Sequence, residues 1–482
     1  MAVYSDCDRR AQHVRMADEA CAIGPDPAVE SYLRIDKMLD AARRTGADAV
    51  HPGYGFLAEN PDFADECERA GLIFVGPGVQ AMRLLGSKSA ARALAARIGV
   101  PIVPGTSEPL TRDGEESRAA AAIGFPLLVK AIAGGGGKGM RVARTPAELA
   151  GSIAAARSEA AASFGDDRVY LERWIERARH IEVQLLGDHY GTVTPFVERE
   201  CSIQRRHQKL IEETPSAAVT PVLRQRLAAA AAELARAGGY SSAGTAEFLV
   251  DATGEFYFLE MNTRLQVEHP VTEAVTGLDF VRAQIEIANG ARLQDVLALM
   301  ERPALEASGH AIEVRVYAEN PDEGFLPSPG LITHLQAPSG PGVRDDSGAY
   351  AGWAVPTAYD PLVSKLIAWA PDRAGAIARM VRALDEYDVR GISTTIGFCR
   401  RLIASESFAA GDFDTNTVDR LLEQRSRAAA ADEGDEESAV VAAALWAMRQ
   451  APLGRPVGRT SGAAAARPES LWGQRARMDG LR

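Results

Sequence analysis

The segment Lys130-Ala131-Ile132-Ala133-Gly134-Gly135-Gly136-Gly137-Lys138-Gly139-Met140 sets four consecutive glycines between two lysines. Glycine backbone can approach an anion closely and turn its N–H groups towards it. A lysine at each end would neutralise phosphate. No GK[ST] opens a helix here, so this is not a Walker A loop. A strand follows instead of a helix, so it is not a dinucleotide fingerprint either. Glycines alone would equally suit a flexible hairpin tip. Lys130 closing the preceding strand favours a flap that covers phosphates.

A second constellation joins Glu247 to Glu260-Met261-Asn262-Thr263-Arg264-Leu265-Gln266-Val267-Glu268-His269-Pro270. Residues two apart in a strand share a face, so Glu260 and Asn262 point the same way. If the turn Asp251–Gly254 closes a hairpin, Val250 lies opposite Glu255 and Glu247 opposite Phe258. Glu247 is then a diagonal neighbour of Glu260, about 7–8 Å away at Cα. Three oxygen-bearing side chains suit a hard cation that keeps room for water and nucleotide phosphates, Mg²⁺ or Mn²⁺. A solvated strand face is the alternative. Phe256, Tyr257, Phe258, Leu259 and Met261 make the strand read as buried on both sides, where bare carboxylates need a cation. Arg264, Gln266 and Glu268 continue at a spacing of two. They offer a cation, an amide and a potential base to a small anion such as bicarbonate. By itself, the charged run Glu198-Arg199-Glu200-Cys201-Ser202-Ile203-Gln204-Arg205-Arg206-His207-Gln208-Lys209 reads as a solvated loop. By itself, His51 in His51-Pro52-Gly53-Tyr54-Gly55 reads as structural.

These residues need a scaffold. Apolar spacing predicts a helix over 27–45 stopped by Gly46, a strand at 47–51, a helix over 60–70 stopped by Gly71, and a strand at 72–75. Strand–helix–strand with such short links implies a parallel sheet. Strands are expected at 125–130 and 140–143. A capping box at Thr145-Pro146-Ala147-Glu148 opens a helix to about Ala162. Antiparallel strands follow at 169–175, 180–187 and 193–198, then a helix from Thr220-Pro221 to Gly238. Further strands are expected at 245–250, 255–262 and 311–318, and a helix at 373–387. After about Leu422 an acidic cluster and a segment rich in Ala, Gly, Pro and Arg read as linker and tail.

The 482 residues carry 53 Lys+Arg against 65 Asp+Glu, a net charge of −12. That acidity argues against a sequence-independent nucleic-acid partner. No apolar run is long enough for a spanning helix, and the first residues lack the order of a signal peptide. Five cysteines without CxxC spacing read as free thiols of a reducing, cytoplasmic compartment.

With these motifs in this order, the chain resembles the biotin carboxylase component of biotin-dependent acyl-CoA carboxylases, an ATP-grasp enzyme. The resemblance is carried by HPGYGFLAEN (51–60), KAIAGGGGKGM, ERECSIQRRHQK, EFYFLEMNTRLQVEHPVTE (255–273), GHAIEVRVYAENP (309–321) and FLPSPG (325–330). It implies an α/β fold with a truncated, doubly wound, Rossmann-like N-terminal domain (1–86). An ATP-grasp domain with a lid near 105–175 (87–303), an α+β C-terminal domain (304–424) and a tail (425–482) would follow. The implied reaction is ATP- and bicarbonate-dependent carboxylation of biotin through carboxyphosphate. Position by position, Lys88, Lys130, Gly135, Gly136, Lys138, Glu172 and His180 match the nucleotide site. Gln204, His207 and Lys209 match positions near the phosphates, and Glu247, Glu260 and Asn262 match the metal ligands. Arg264, Gln266, Val267 and Tyr54 match the bicarbonate and biotin side, Glu268 the base, and Arg315 the group facing the biotin enolate.

Relatives carry a strand, a Gly-containing turn and a helix before the position of Met1, so a central βα unit is expected to be missing here. No Ala-Met-Lys-Met biotinylation motif is present, so biotin is expected on a separate carrier protein or domain. A further expected partner is a carboxyltransferase β subunit. A homo-oligomer is implied by the resemblance. Trp446, Ser470-Leu471-Trp472 and Asp479–Arg482 resemble the linker of methylcrotonoyl-CoA-type α subunits. Another bicarbonate-using ATP-grasp ligase, or an inactive fragment that binds only nucleotide or partner subunits, is the competing reading.

Overall fold

Gly46 and Gly71, read as helix stops, adopt φ values of 63° and 75°, a region that costs glycine nothing and other residues a Cβ clash. The computed structural model describes residues 1–106, 109–110, 115–131, 140–298 and 300–431. The chain opens with strands β1 (Ala2–Ser5) and β2 (Ala20–Gly24). Helix α1 (Ile35–Thr45), strand β3 (Ala49–Val50), helix α2 (Pro61–Arg69) and strand β4 (Ile73–Phe74) follow. The β3–β4 pairing is parallel, as expected; the parallel β1–β2 ladder is separate from it, and its strand at Ala20–Gly24 was not expected. The helix expected from Pro27 starts only at Ile35. Ser31 Oγ donates to Pro27 O at 3.0 Å, which gives this backbone a turn instead of helical bonds. Asn60 caps α2 by accepting from the Asp62 and Phe63 amides.

Helix α3 (Lys88–Arg97) leads into a three-stranded antiparallel sheet of β5 (Leu127–Ala131), β6 (Met140–Ala143) and β7 (Val169–Arg173), in the order β6-β5-β7. Helix α4 (Pro146–Phe164) covers it, with Leu149, Ile153 and Ala156 packed on Leu127, Val129 and Leu171. The expected capping box is one-sided. Glu148 accepts from the Arg144 amide and the Thr145 hydroxyl, while Thr145 caps no amide. The glycine flap, with Gly135, Gly136 and Lys138, lies outside the described residues.

The largest sheet is nine-stranded. It contains β8 (Arg179–Gly187), β9 (Val193–Pro195), β10 (Arg199–Arg205), β11 (Gln208–Thr214), β12 (Ser242–Val250), β13 (Phe256–Asn262), β14 (His310–Tyr317), β15 (Val343–Ser347) and β16 (Leu362–Ala370). Its order is β13-β12-β8-β10-β11-β14-β16-β15, with β9 paired to β8. Helix α5 (Pro221–Ala237) packs Leu223, Leu227, Ala231 and Leu234 on Ile181, Val183, Phe248 and Phe258. Helix α6 (His269–Thr276) covers the middle of the sheet, with Val271 and Val275 packed on Ala311 and Ile367. Helices α7 (Arg373–Glu386) and α8 (Thr417–Ala431) follow. Contacts divide the chain into residues 1–421 and 422–482. No helix among the described residues is long and apolar enough to cross a membrane.

Two expectations need correction. The charged run at 198–209 is not a solvated loop: β10 is buried along its whole length and hairpins onto β11. Burial is tolerated because the charges are paired, Glu198 with Arg224 and Arg199 with Glu182. The register of β12 on β13 also differs. Val250 pairs with Phe256, and a shift between Glu247 and Phe248 brings Glu247 directly opposite Glu260. A wider turn and a local irregularity, which spacing cannot reveal, together move Glu260 from a diagonal to a facing position.

Candidate active site

His180 and Glu182 stand two apart on β8, and Glu182 is the cross-strand partner of Glu247 on β12. Lys209, near the start of β11, reaches into this group. Its ammonium donates to Glu182, to Glu247 Oε1 at 3.1 Å and to Glu268 Oε1 at 2.8 Å. These carboxylates keep Lys209 charged well above the usual lysine range despite its burial. Burial alone would push the His180 imidazole down. Glu247, 3.2 Å away, and Glu182, 3.1 Å away, raise it to about 9.

Glu268 precedes α6 and is 2% exposed. Burial would raise its carboxyl, yet Lys209, Arg315 and Arg199 hold it well below the usual carboxylate range. Arg315 on β14 donates Nη2 to Glu268 Oε2 at 2.9 Å and Nε to Glu212 Oε1 at 2.6 Å. An ionised carboxylate thus sits between a lysine and an arginine that are both fixed by further carboxylates.

Glu247 and Glu260 face each other across β12 and β13. Asn262 donates to Glu247 Oε1 at 2.8 Å. The carboxylates are not bare, because Lys88 lies 2.7 Å from Glu260 Oε2 while Lys209 and His180 hold Glu247. Nor is β13 buried on both sides: Tyr257, Leu259, Glu260 and Asn262 are half-buried. Two facing carboxylates with an asparagine carbonyl, open on the Glu260 side, form an oxygen donor set that fits Mg²⁺.

Arg264 donates Nε to Glu59 Oε2 at 2.8 Å and Nη2 to Asn262 Oδ1 at 3.1 Å. Gln266 donates to Glu247 Oε1 and accepts from Arg199, each within hydrogen-bond range. The Val267 carbonyl accepts from Lys365, whose ammonium lies 5.8 Å from the Tyr54 ring centroid. Lys130 and Arg92 both pair with the buried Glu172. Gln204 lies opposite Lys209. His207 and Arg206 form the hairpin tip with φ of 66° and 49°. A two-residue turn of this hand favours Asn-Gly, and two bulky residues there are strained. Burial, and after it the charge of Lys130, lowers the His207 imidazole. His51, within hydrogen-bond range of Gln284, accepts from the Gly53 amide.

Spacing missed Glu59, Glu182, Arg92, Glu212 and Arg199. Arg199 is fully buried and binds Glu182, Gln184, Thr245, Gln266 and Thr272. The one available signal was alternation: Glu182 lies two residues from His180.

Known proteins resemble this chain in sequence and fold. Residues 1–82 match the family described as biotin carboxylase, N-terminal domain. Residues 87–296 match carbamoyl-phosphate synthase L chain, ATP binding domain, and 313–420 match biotin carboxylase C-terminal domain. The chain is 48% identical over 420 residues to biotin carboxylase 1 of Bacillus subtilis, covering 87% of this chain and 92% of that protein. It is 48% identical over 421 residues to the biotin carboxylase of a Nostoc species, covering 87% and 93%. Its fold matches the biotin carboxylase domain dimer of Hydrogenobacter thermophilus 2-oxoglutarate carboxylase, solved with MgADP, ADP and bicarbonate. There the TM-score is 0.79 and the identity 43%, over 87% of this chain and 91% of that one.

Proposed function

The chain belongs to the biotin carboxylase family of ATP-grasp enzymes, and from that premise we propose how its own residues divide the ATP-dependent carboxylation of biotin. Lys88, Lys130, Glu172, His180, Gln204 and His207 hold the nucleotide, with Gly135, Gly136 and Lys138 as further nucleotide-binding residues. Glu247, Glu260 and Asn262 would hold Mg²⁺, which when bound screens phosphate charge. Arg264, Gln266 and Val267 bind bicarbonate. Glu268, ionised between Lys209 and Arg315, takes the bicarbonate proton. The freed oxygen attacks the γ-phosphorus, its bond to the β-phosphate bridge breaks, and carboxyphosphate and ADP form. Carboxyphosphate breaks down to CO₂ and phosphate. The released phosphate takes the ureido N–H proton of biotin, and the deprotonated nitrogen attacks CO₂ to form the N–C bond of carboxybiotin. Arg315 faces the developing ureido oxyanion, where a fixed guanidinium stabilises charge that grows in the transition state. Tyr54 lines the biotin side.

The observation that carries this reading is the Lys209–Glu268–Arg315 line. It links the phosphate side, through Glu247, to the biotin side in one chain of ion pairs. Residues 1–86 close the biotin side, 87–303 hold nucleotide and anion, and 304–424 supply Arg315. Biotin arrives in trans on a carrier protein or domain, and a carboxyltransferase β subunit takes the carboxyl group onward. The enzyme works in the cytoplasm as a homo-oligomer. The shared ATP-binding family leaves a carbamoyl-phosphate-type ligase as the rival, but the match at 313–420 favours biotin. Bicarbonate-dependent ATP cleavage stimulated by free biotin supports the assignment. ATP cleavage stimulated by ammonia or glutamine and indifferent to biotin would overturn it.

A further inference from the structure

Behind Arg315 lies a carboxylate pair that the reaction does not use. Glu212 on β11 is the direct cross-strand partner of Glu313 on β14. Side chains so placed start about 4.5–5.5 Å apart at Cβ. Both residues are 0% exposed. Glu212 Oε1 accepts from Arg315 Nε at 2.6 Å. Glu212 Oε2 and both oxygens of Glu313 find no hydrogen-bond partner among the described residues. The neighbours supply too little positive charge for two anions. On β16, Ile367 lies opposite Glu313 and Lys365 opposite Arg315. Lys365 is drawn to Val267 O and to Asp346, and Arg315 is shared with Glu268. Helix α6 covers this part of the sheet with the apolar Val271 and Val275. The other titratable groups facing the pair are Glu268, Lys209, Cys201 and Cys399. The cysteines hold buried thiols pushed up by burial, so they add no positive charge. Two facing carboxylates in a dry site cannot both ionise at modest cost.

We propose that Glu212 and Glu313 share one resident proton and act as a positioning pair behind Arg315. The shared proton turns one unpartnered oxygen into a donor towards its neighbour. It also limits the negative charge behind the guanidinium, so Arg315 keeps its positive field for Glu268 and for the biotin oxyanion. Burial, and then the mutual repulsion of the two groups, holds Glu313 far above the usual carboxylate range, while burial raises Glu212 to about 7. Loss of the shared proton at alkaline pH would place a second negative charge behind Arg315.

The inference rests on Arg315 facing biotin, and the test separates the two ideas. Infrared difference spectra of the full chain, recorded from below to well above neutral pH, should show a protonated-carboxyl C=O stretch persisting above neutrality. That band should be absent in Glu313→Gln. Biotin-dependent ATP cleavage should fall at alkaline pH, by about tenfold per pH unit beyond the midpoint. In Glu313→Gln, whose amide cannot ionise, that alkaline fall should move up or vanish. Cleavage measured without biotin should keep its pH profile in the variant. A missing carboxyl band in the wild type, or the same alkaline fall in both proteins, overturns the proposal. Absence of biotin-dependent turnover at every pH would strike the functional reading instead, and the infrared band would then decide the shared proton alone.

Discussion

Replacing Glu268 by Gln keeps size and shape and removes one charge, so it isolates what that carboxylate contributes. Its two oxygens face two cations, Lys209 at 2.8 Å and Arg315 at 2.9 Å. An amide has one acceptor oxygen, so one cation must face an NH₂ group. Removing one partner of a buried ion pair costs about 3–5 kcal/mol of stability. The lower end applies here, because Lys209 keeps Glu182 and Glu247 and Arg315 keeps Glu212. The catalytic loss is separate. General-base catalysis is worth about 10²–10⁴-fold, or about 2.7–5.4 kcal/mol of barrier. Initial rates of bicarbonate-dependent ATP cleavage, with and without free biotin, should fall by that factor. Nucleotide affinity measured by titration calorimetry should hold, because Lys130, Glu172 and Lys88 do not touch Glu268. Turnover within an order of magnitude of wild type would refute the base assignment. Loss of nucleotide binding in a folded variant would refute the separation of the two halves of the site.

Other changes test other parts of the site. Arg264→Ala removes the bonds to Glu59 and Asn262 and should raise KM for bicarbonate by roughly 10- to 100-fold, the worth of a charge-assisted hydrogen bond. Unchanged KM would exclude Arg264 from the anion site. Lys130→Ala leaves the buried Glu172 with Arg92 alone and should weaken ATP binding while KM for bicarbonate stays put, as steady-state kinetics would show. His269 is kept neutral in the fold: burial, then Lys365, lowers it from 6.5 to about 3. A depressed folded-state value means its stabilising share is full above about pH 6.5 and is lost as pH falls towards about 3, with a slope of at most about 1.4 kcal/mol per pH unit. Tm of His269→Gln should therefore depend less on pH than wild type over that window.

How much of this was legible in the residues depended on whether the signal was local. Spacing of two placed Glu260 with Asn262, because strand geometry is a local rule; β13 ends at Asn262, so Arg264, Gln266 and Glu268 lie in a bend and turn that spacing did not reveal. Parallel pairing of β3 with β4 followed from strand–helix–strand links, whereas the pairing of β1 with the strand Ala20–Gly24 was not foreseen. The facing position of Glu247 and Glu260 was not legible, since it depends on a one-residue register shift. The burial of Arg199 was hidden too. A run of charges looks solvated until Glu182, Gln184 and Gln266, far off in sequence, supply its partners. Glu212 and Glu313 escaped notice for the same reason: their meeting is a cross-strand event between segments about a hundred residues apart.

Carboxyl transfer to biotin at this chain's own site can be followed by the fate of labelled carbon. Radiolabelled bicarbonate is incubated with the full chain, ATP, Mg²⁺ and free biotin, and acid-labile carboxybiotin is quantified against ADP released. Label should appear on biotin in step with ADP and be abolished in Arg315→Ala. ADP released with no label on biotin, or label undiminished in Arg315→Ala, would contradict the assignment.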